Sequence, residues 1–253
     1  MNIFPTDQDS HEHSLQTLNL IANYNDFMDS LSVICDMGCG AGLDLAWWAT
    51  RTYQDHRGQW KPYNYMCIGI DSDTSKIPQD LPSDNIRISK QDFEEFKLAR
   101  KADLIWSHDS FRYCINPLST LKLWNENINE NGMLVIVVPQ TINLVNRRPV
   151  VRTLPTNYFH YSITNMIYML AVNGFDCKGG HFNKSPDDPW LHCVAYKSEH
   201  PPMDPRTTTW YDLAEKNLIP KSAADSVERH GFIRQEDLVL PWLDKSLSWL
   251  GKQ

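Results

Sequence analysis

The stretch VICDMGCGAGLDLAWWAT, residues 33–50, decides how the rest of the chain is interpreted. An apolar run ends in Asp36, glycines follow at positions 38, 40 and 42, and a helical pattern begins at Leu43. Glycine lets the backbone turn tightly and approach a ligand closely. A glycine-rich turn between a strand and a helix is therefore typical of a ligand-binding loop, although a tight turn without any ligand explains the glycines equally well at this point.

Apolar runs alternate with helical patterns on both sides of this stretch. Asn116 and Pro117 are typical of a helix start, and Asn131-Gly132 is typical of a helix end. Alternating strands and helices predict parallel strand pairing, with helices covering both faces of the sheet. Strands are predicted at 31–36, 65–71, 86–89, 102–107 and 133–138, and helices at 14–31, 43–53 and 116–129.

The pattern changes after residue 138. Residues 139–157 contain three prolines and three arginines but no acidic residue. A helix is predicted over 158–172, and strands over 177–183 and 190–197 are joined by the turn-forming sequence NKSPDDP. We therefore expect an α/β fold, a doubly wound and mostly parallel seven-stranded sheet that ends in an antiparallel edge hairpin.

Composition excludes several classes of protein. The 253 residues carry a net charge of −7, which disfavours a nucleic-acid-binding surface. No apolar run approaches the length of a membrane helix, and the polar N-terminus lacks a secretory core. The six cysteines form no C-x-x-C pair, so we expect no metal site. Several of them lie in apolar runs, so we expect reduced thiols and a cytoplasmic location. Without a long apolar run, we expect no membrane partner.

The spacing of the glycines discriminates between possible ligands. A dinucleotide-binding loop would require glycine at Leu43, and a phosphate-binding P-loop would require a following lysine that is missing. The pattern D-x-G-x-G-x-G resembles the first motif of class I S-adenosylmethionine-dependent methyltransferases, whose fold is Rossmann-like. The resemblance implies that Gly38, Cys39, Gly40 and Gly42 contact the methionine part of the cofactor, and that Asp36 supports its ammonium group.

The resemblance extends over residues 31–197. It implies that Asp71, with Ser72 beside it, binds the ribose hydroxyls, and that the pair Asp92-Phe93 faces the adenine. A solvated strand end would explain Asp71 as well, and an acidic surface shared with neighbouring glutamates would explain Asp92. Ser107 and His108, which follow the fourth strand, would line both cofactor and substrate.

The resemblance also suggests a domain organisation. Residues 1–30 would be an N-terminal arm with a helix that covers the cofactor, and 31–197 the cofactor-binding core, with 139–157 as a lid or substrate segment. Residues 198–253, too apolar for a disordered tail, would be a helical appendage. His11 and His13 lie in the polar part of the arm, where we expect disorder and no metal site.

The activity that the resemblance implies is methyl transfer by in-line displacement, which converts S-adenosylmethionine into S-adenosylhomocysteine. His108 is the first candidate for a general base, and His160 with Tyr161 is the second. A backbone-bonded loop histidine and an aromatic cluster in the core are the competing explanations. Candidate substrate contacts are Tyr113, Arg147, Arg148 and Arg152, although the arginines also fit a solvated loop.

The absence of several family motifs reduces the range of methyl acceptors that the sequence favours. The loop after the fourth strand, Ser107-His108-Asp109-Ser110, lacks the Asn/Asp-Pro-Pro-aromatic signature of amino-group methylases and the paired glutamates of arginine methylases. The chain also contains no Pro-Cys pair of the kind that cytosine methylases use. With the acidic net charge, these absences favour a small-molecule substrate and no nucleic acid. Two alternatives stay open: a non-catalytic S-adenosylmethionine-binding module, and a methyltransferase that reaches a protein or RNA through residues 198–253. The oligomeric state stays open as well.

Overall fold

The computed structural model describes residues 7–22, 25–139, 159, 161–184 and 190–233. The first half of the chain contains α1 (Asp7–Ala22), α2 (Asn25–Ser30), β1 (Val33–Met37), α3 (Leu43–Ala49), β2 (Thr52–Gln54), β3 (Trp60–Pro62), β4 (Met66–Asp71) and β5 (Ile86–Lys90). The second half contains β6 (Ala102–His108), a 3₁₀ turn (Phe111–Tyr113), α4 (Pro117–Asn127), β7 (Ile128–Pro139), α5 (Ile163–Val172), β8 (Phe175–Lys184), β9 (Trp190–Lys197), α6 (Trp210–Glu215) and α7 (Lys221–His230).

Seven strands form one sheet in the order β5-β4-β1-β6-β7-β9-β8. Strands β5, β4, β1, β6 and β7 pair in parallel, whereas β9 runs antiparallel to both β7 and β8. The expected seven-stranded, mostly parallel sheet with an antiparallel edge hairpin is therefore confirmed. Strands β2 and β3 form a separate two-stranded sheet.

The strand order reverses beside β1. From β1 the chain passes through α3 to β4 on one side, and it later returns to the other side of β1 as β6. The carboxyl ends of β1 and β6 therefore diverge into connections on opposite sides, which opens a crevice between them. Ligands of open parallel sheets bind in such a crevice, and here the glycine-rich segment 38–42 lies at its mouth.

Helices cover both faces of the sheet, because the strands are apolar on both sides. On one face, Cys35 and Met37 of β1 belong to a buried cluster with Trp124 of α4 and Leu170 of α5. On the other face, Ile34 packs in a cluster with residues of α1 and α3, including Leu18 and Trp48. Alternate residues of β1 thus face opposite helix layers, as a doubly wound sheet requires.

The C-terminal helices pack on the core of the sheet. Leu213 of α6 and Ala223 of α7 are fully buried in the same cluster as α4 and α5. Residues 210–230 therefore share the apolar core of the sheet and form no second core of their own. The helical character expected of the tail is confirmed for this part, while residues 234–253 lie outside the described residues.

The N-terminal helix differs from its prediction. Helix α1 begins at Asp7 and not at Ser14, so His11 and His13 lie within it. Both imidazoles contact side chains of the core, at Asp44 and His108. The expectation of a disordered arm around these two histidines was therefore wrong, because their polar partners lie far along the sequence.

Two further elements were mispredicted. The hairpin β2–β3 stands where the end of a longer α3 was expected, and its turn is closed by Asp55 Oδ1, which accepts hydrogen bonds from Arg57 N and Gln59 N. Helix α4 ends at Asn127, so Asn131, with φ of 61°, lies within β7 and does not end the helix.

The cysteines and the helix lengths bear on two further predictions from the sequence. All six cysteines are free and buried. Within the described ranges, no helix is both long enough and apolar enough to cross a membrane.

Candidate active site

The glycine-rich loop is held by the end of the neighbouring strand. The backbone N–H groups of Gly38 and Cys39 donate to Ile70 O at 2.7 and 3.2 Å. Gly38, Gly40 and Gly42 have φ values of 74°, 53° and 75°, in the left-handed region that favours glycine. The alternating glycines of the sequence are therefore required by the backbone path itself.

Gly38 also permits a close approach to the loop that follows β6. A Cβ atom at this position would lie 2.3 Å from Ser110 Cβ. The Ser110 hydroxyl is fixed in turn, because it donates to Met37 O and lies 2.7 Å from Ser107 Oγ. Ser110 thus links the predicted residues Gly38 and Ser107 at the carboxyl ends of β1 and β6.

Asp36 ends the apolar part of β1 and is buried, with 4% of its surface exposed. Burial raises the pKa of its carboxyl well above the usual range, and the nearby carboxylates of Asp44 and Asp71 raise it further. A cationic group that reached Asp36 would relieve this repulsion. The side chain is therefore suited to an ammonium ligand.

Asp71 links the second strand of the site to the loop. Its Oδ2 accepts from Gly40 N at 2.8 Å, and its Oδ1 accepts from Asp73 N at 2.8 Å. Each carboxylate oxygen retains a further acceptor position, so Asp71 can receive two hydroxyl groups beside Gly40, which lines the cleft. Ser72 is exposed immediately after it.

The two acids that follow β5 have different surroundings. Glu94 accepts from Ile115 N at 2.7 Å and Asn116 N at 2.9 Å. Burial opposes its ionisation, but these bonds outweigh burial and lower its pKa. Asp92 is exposed and its Oδ1 accepts from Glu94 N at 2.9 Å, while Phe93 packs edge-to-face on Trp124 at 6.1 Å. Glu94 therefore holds the loop, and Asp92 is the more accessible of the two carboxylates.

His108 ends β6 and is almost fully buried. Burial, opposed by Asp44 and assisted by His13 and His192, lowers the pKa of its imidazole to about 3. Its Nε2 lies 2.8 Å from His13 Nδ1, and its ring lies 5.3 Å from that of Trp190. The side chain is therefore neutral throughout the physiological pH range.

Helix α1 is fixed to the site by Asp44, a residue that the sequence patterns did not single out. Asp44 lies in the first turn of α3 and is buried. Its Oδ1 is 2.5 Å from His11 Nδ1 and accepts from Ser14 Oγ at 2.6 Å, and its Oδ2 accepts from Trp106 Nε1 at 2.8 Å. A carboxylate one turn into the helix after the glycine loop was the only available signal.

Two more contacts hold α1 on the end of the sheet. The ring of His13 stacks on Trp190 of β9 at 4.4 Å, and Thr17 Oγ1 lies 3.0 Å from His192 Nδ1. Thr17 and His192 are both buried. The first helix of the chain thus contacts β6 and β9, strands that follow it by roughly ninety and one hundred and seventy residues along the chain.

A buried ion pair lies in the loop after β6. Arg112 Nε is 3.0 Å from Asp109 Oδ1, and both side chains are nearly inaccessible. Burial raises the pKa of Asp109 to about 6, although Arg112 and His13 act in the opposite direction. Arg112 Nη2 donates to Tyr113 OH at 2.6 Å, which orients the partly exposed Tyr113 ring.

The remaining predicted residues lie apart from this cluster or outside the description. Tyr161 is buried in the apolar core, its hydroxyl donates to Phe111 O at 3.4 Å, and burial raises its pKa. His160, Arg147, Arg148 and Arg152 lie outside the described residues. In the part of the chain that the structure covers, no three His, Cys, Asp or Glu side chains are arranged to hold a metal ion.

The loop, the strand ends and α1 enclose one cleft with about 390 Å³ of space, including its mouth. Its walls bring together five predicted residues and four that the sequence did not predict, of which His11 and Asp44 are ionisable. The lining residues are His11, Asp36, Gly38, Cys39, Gly40, Ala41, Leu43, Asp44 and His108.

The fold and the cleft can be compared with known proteins. No family model matches the chain, and no curated protein matches it. Among solved structures, a protein assigned as a sarcosine dimethylglycine methyltransferase from Galdieria sulphuraria has a TM-score of 0.56 at 15% identity, covering 75% of this chain and 88% of its own. The chain has the class I methyltransferase fold.

Two further class I structures have similar scores. Magnesium protoporphyrin IX methyltransferase from Synechocystis PCC 6803, solved with S-adenosylhomocysteine, has a TM-score of 0.52 at 16% identity, covering 75% of this chain and 84% of its own. A Haloferax volcanii protein assigned as a methyltransferase, in complex with the Trm112 methyltransferase activator, has a TM-score of 0.53 at 14% identity, covering 76% and 94%.

Proposed function

We propose that this protein is an S-adenosylmethionine-dependent methyltransferase that acts on a small molecule. The observation that carries the proposal is the bond between Gly40 N and Asp71 Oδ2, because it joins the glycine loop and the strand-end carboxylate at the crevice beside β1. The resemblance to class I methyltransferases implies these two features in the same places, and one of the solved structures above holds S-adenosylhomocysteine.

The residues present fit this cofactor. The left-handed loop at 38–42 exposes backbone close to the cleft, where any side chain at Gly38 would collide with Ser110. Asp36 offers a buried carboxylate to an ammonium group, Asp71 offers acceptors to ribose hydroxyls, and Asp92 offers an accessible carboxylate to an adenine amino group. A ligand with phosphates would instead meet Asp36 and Asp44 in the cleft and be repelled.

The bound cofactor would supply a methyl group made electrophilic by its positive sulfur. The chain then has to hold the acceptor in line and exclude water. Helix α1, fixed through Asp44, closes one wall of the cleft, while His108 at the end of β6 lines another. His108 is neutral and therefore can accept a proton, but a pKa of about 3 makes it a weak base. An acceptor that arrives with a free lone pair suits this site best.

The net charge of −7 and two of the similar folds support a small acceptor. Two of the similar folds belong to a protein assigned to sarcosine and dimethylglycine and to an enzyme of magnesium protoporphyrin IX, both small molecules. We place Tyr113, oriented by Arg112, at the substrate side of the cleft, and Arg147, Arg148, Arg152, His160 and Tyr161 remain candidates from the sequence alone. The six buried, free thiols suit a reducing compartment, so we propose a cytoplasmic location.

Calorimetric titration with S-adenosylhomocysteine tests the cofactor. We expect the wild type to bind, and Asp71→Asn to weaken binding by at least about tenfold, because a charged acceptor is lost. Asp73→Asn is the matched control, since Asp73 is exposed and accepts a backbone bond from Ser75 N. Equal affinity of wild type and Asp71→Asn would contradict the proposed cofactor site.

Catalysis needs a separate measurement. Wild-type protein would be incubated with S-adenosylmethionine and a panel of small amines, carboxylic acids and hydroxylated acceptors, and S-adenosylhomocysteine formation would be followed. Acceptor-dependent formation supports the enzyme. Tight binding without any transfer would favour the non-catalytic module, and transfer to proteins or RNA alone would favour the macromolecular alternative.

A further inference from the structure

His11 lines the cleft although it belongs to the N-terminal helix and to no sequence motif. Its Nδ1 lies 2.5 Å from Asp44 Oδ1, and the two side chains form an ion pair when the imidazole is protonated. The other ring nitrogen, Nε2, has no hydrogen-bond partner among the residues that the structure describes. A donor position therefore lies at the cleft wall.

The charges around the cleft are unbalanced without His11. Asp36 and Asp44 supply two carboxyl groups, and the described lining contains neither lysine nor arginine. His108 is neutral, because burial lowers its pKa to about 3. Among the described residues that line the cleft, His11 is the only remaining side chain that can carry a positive charge.

A ligand with an amino-acid end brings both an ammonium and a carboxylate. Asp36 suits the ammonium, because a buried carboxylate gains most from a cationic neighbour. The carboxylate needs a donor that is fixed in place and preferably cationic. His11 meets this need, since Asp44 holds its Nδ1 and is itself held by Ser14 and Trp106.

We propose that His11, oriented by Asp44, binds the carboxylate at the amino-acid end of the cofactor. This inference rests on the proposed function, because it takes S-adenosylmethionine as the ligand of the cleft. A cationic ligand favours the ionised form of Asp36, which burial disfavours by raising the pKa of the carboxyl. With the His11–Asp44 ion pair neutral overall, the site then carries one net negative charge. S-adenosylmethionine carries one net positive charge through its sulfonium, so site and ligand are complementary.

Comparing the cofactor with its decarboxylated analogue separates the contact to the carboxylate from the contact to the ammonium. Decarboxylated S-adenosylmethionine keeps the sulfonium and the ammonium but lacks the carboxylate. By calorimetry, His11→Ala should weaken the binding of S-adenosylmethionine about tenfold or more and leave the binding of the decarboxylated compound unchanged. Asp36→Asn should weaken the binding of both compounds, because both keep the ammonium.

Ser14→Ala is the control for the docking of α1. It removes one bond between α1 and Asp44 while His11 stays, so it should change the affinity of the two compounds by the same factor. If His11→Ala also weakens both compounds equally, His11 acts only by docking the helix, and the inference is overturned. If His11→Ala binds both compounds as the wild type does, the inference is overturned while the proposed function stands.

The proposed function fails in a different way. If the wild type binds neither compound, the cofactor assignment is wrong, and the role of His11 falls with it. A selective loss of S-adenosylmethionine binding in His11→Ala supports both.

Discussion

The glycine loop and helix α1 line the same cleft but are positioned by different means. The loop is held by backbone bonds to Ile70 and by Asp71, both on the adjacent strand. Helix α1 is held by side-chain contacts between residues far apart in the sequence. His11 contacts Asp44, 33 residues along the chain, and His13 contacts His108, 95 residues along the chain. One wall of the site is thus specified by a short motif, and the other by contacts between distant polar residues.

This difference separates two kinds of sensitivity. The glycine loop tolerates no added atom at Gly38, because φ there is positive and Ser110 lies against the position of a Cβ. A helix docked through buried polar groups depends on each group keeping its partner, since an orphaned donor costs free energy. We therefore expect changes to the loop to act through steric conflict, and changes at Asp44 to act through unpaired donors.

The largest effect is expected for Gly38→Ala. The new Cβ would meet Ser110 Cβ at 2.3 Å on backbone with φ of 74°, and Ser110 is fixed by its bonds to Met37 and Ser107. We expect a loss of about 4 kcal/mol in the free energy of unfolding, measured by urea denaturation. Cofactor binding should be lost as well.

Gly58→Ala is the matched control for this change. Gly58 also has φ of 74°, but the nearest atom to an added Cβ is Gln54 Nε2 at 3.7 Å. Only the backbone cost of about 1 kcal/mol should remain. Similar losses for the two variants would mean that the contact between the loop and Ser110 is not close in solution.

The next largest effect is expected for Asp44→Ala. The change leaves the donors of His11, Ser14 and Trp106 without their acceptor, at a cost of about 3 kcal/mol in unfolding free energy. Amide hydrogen exchange of residues 7–22 should accelerate, because α1 loses its main attachment.

Asp103→Ala provides the comparison for that experiment. Asp103 also accepts three bonds, from Ser32 N, Val33 N and Asn129 Nδ2. It belongs to β6 and lies beside the start of β1, at the end of the sheet away from the cleft. The substitution should destabilise the protein without selectively exposing α1 to exchange. Unchanged exchange of α1 in Asp44→Ala would show that the helix is held by other contacts.

The smallest of the three effects concerns pH. Because the pKa of His108 is about 3 in the folded protein and about 6.5 when unfolded, only the unfolded state binds this proton between these values. Stability contributed by His108 is therefore present above pH 6.5 and is lost as the pH falls. The loss amounts to about 2 kcal/mol at pH 5.

The measurement compares wild type with His108→Gln at each pH, because raised pKa values at Asp36 and Asp109 act in the opposite direction in both proteins. The stability difference between the two proteins should shrink by this amount from pH 7 to pH 5. A constant difference would mean that His108 titrates normally and that α1 does not bury it.

The sequence predicted the parts of the site that depend on local pattern. Asp36 and the glycines could be located because a strand end and a left-handed turn each leave a signature in consecutive residues. Asp44 left only a carboxylate in the first turn of a helix, and His11 and Ser14 left no signal, since their roles arise only when α1 packs on α3 and β6. The hairpin β2–β3 was missed for a related reason: its two strands of three residues are exposed and carry no apolar periodicity.

Because all six thiols are buried, their reactivity can report where the protein opens during unfolding. Cys39 lies in the glycine loop, Cys67 in β4, and Cys193 in β9 towards the far edge of the sheet. An alkylating reagent can reach each thiol only after its surroundings open. Mass spectrometry of partially labelled protein would therefore record the order in which the cleft and the far edge open, without any engineered label.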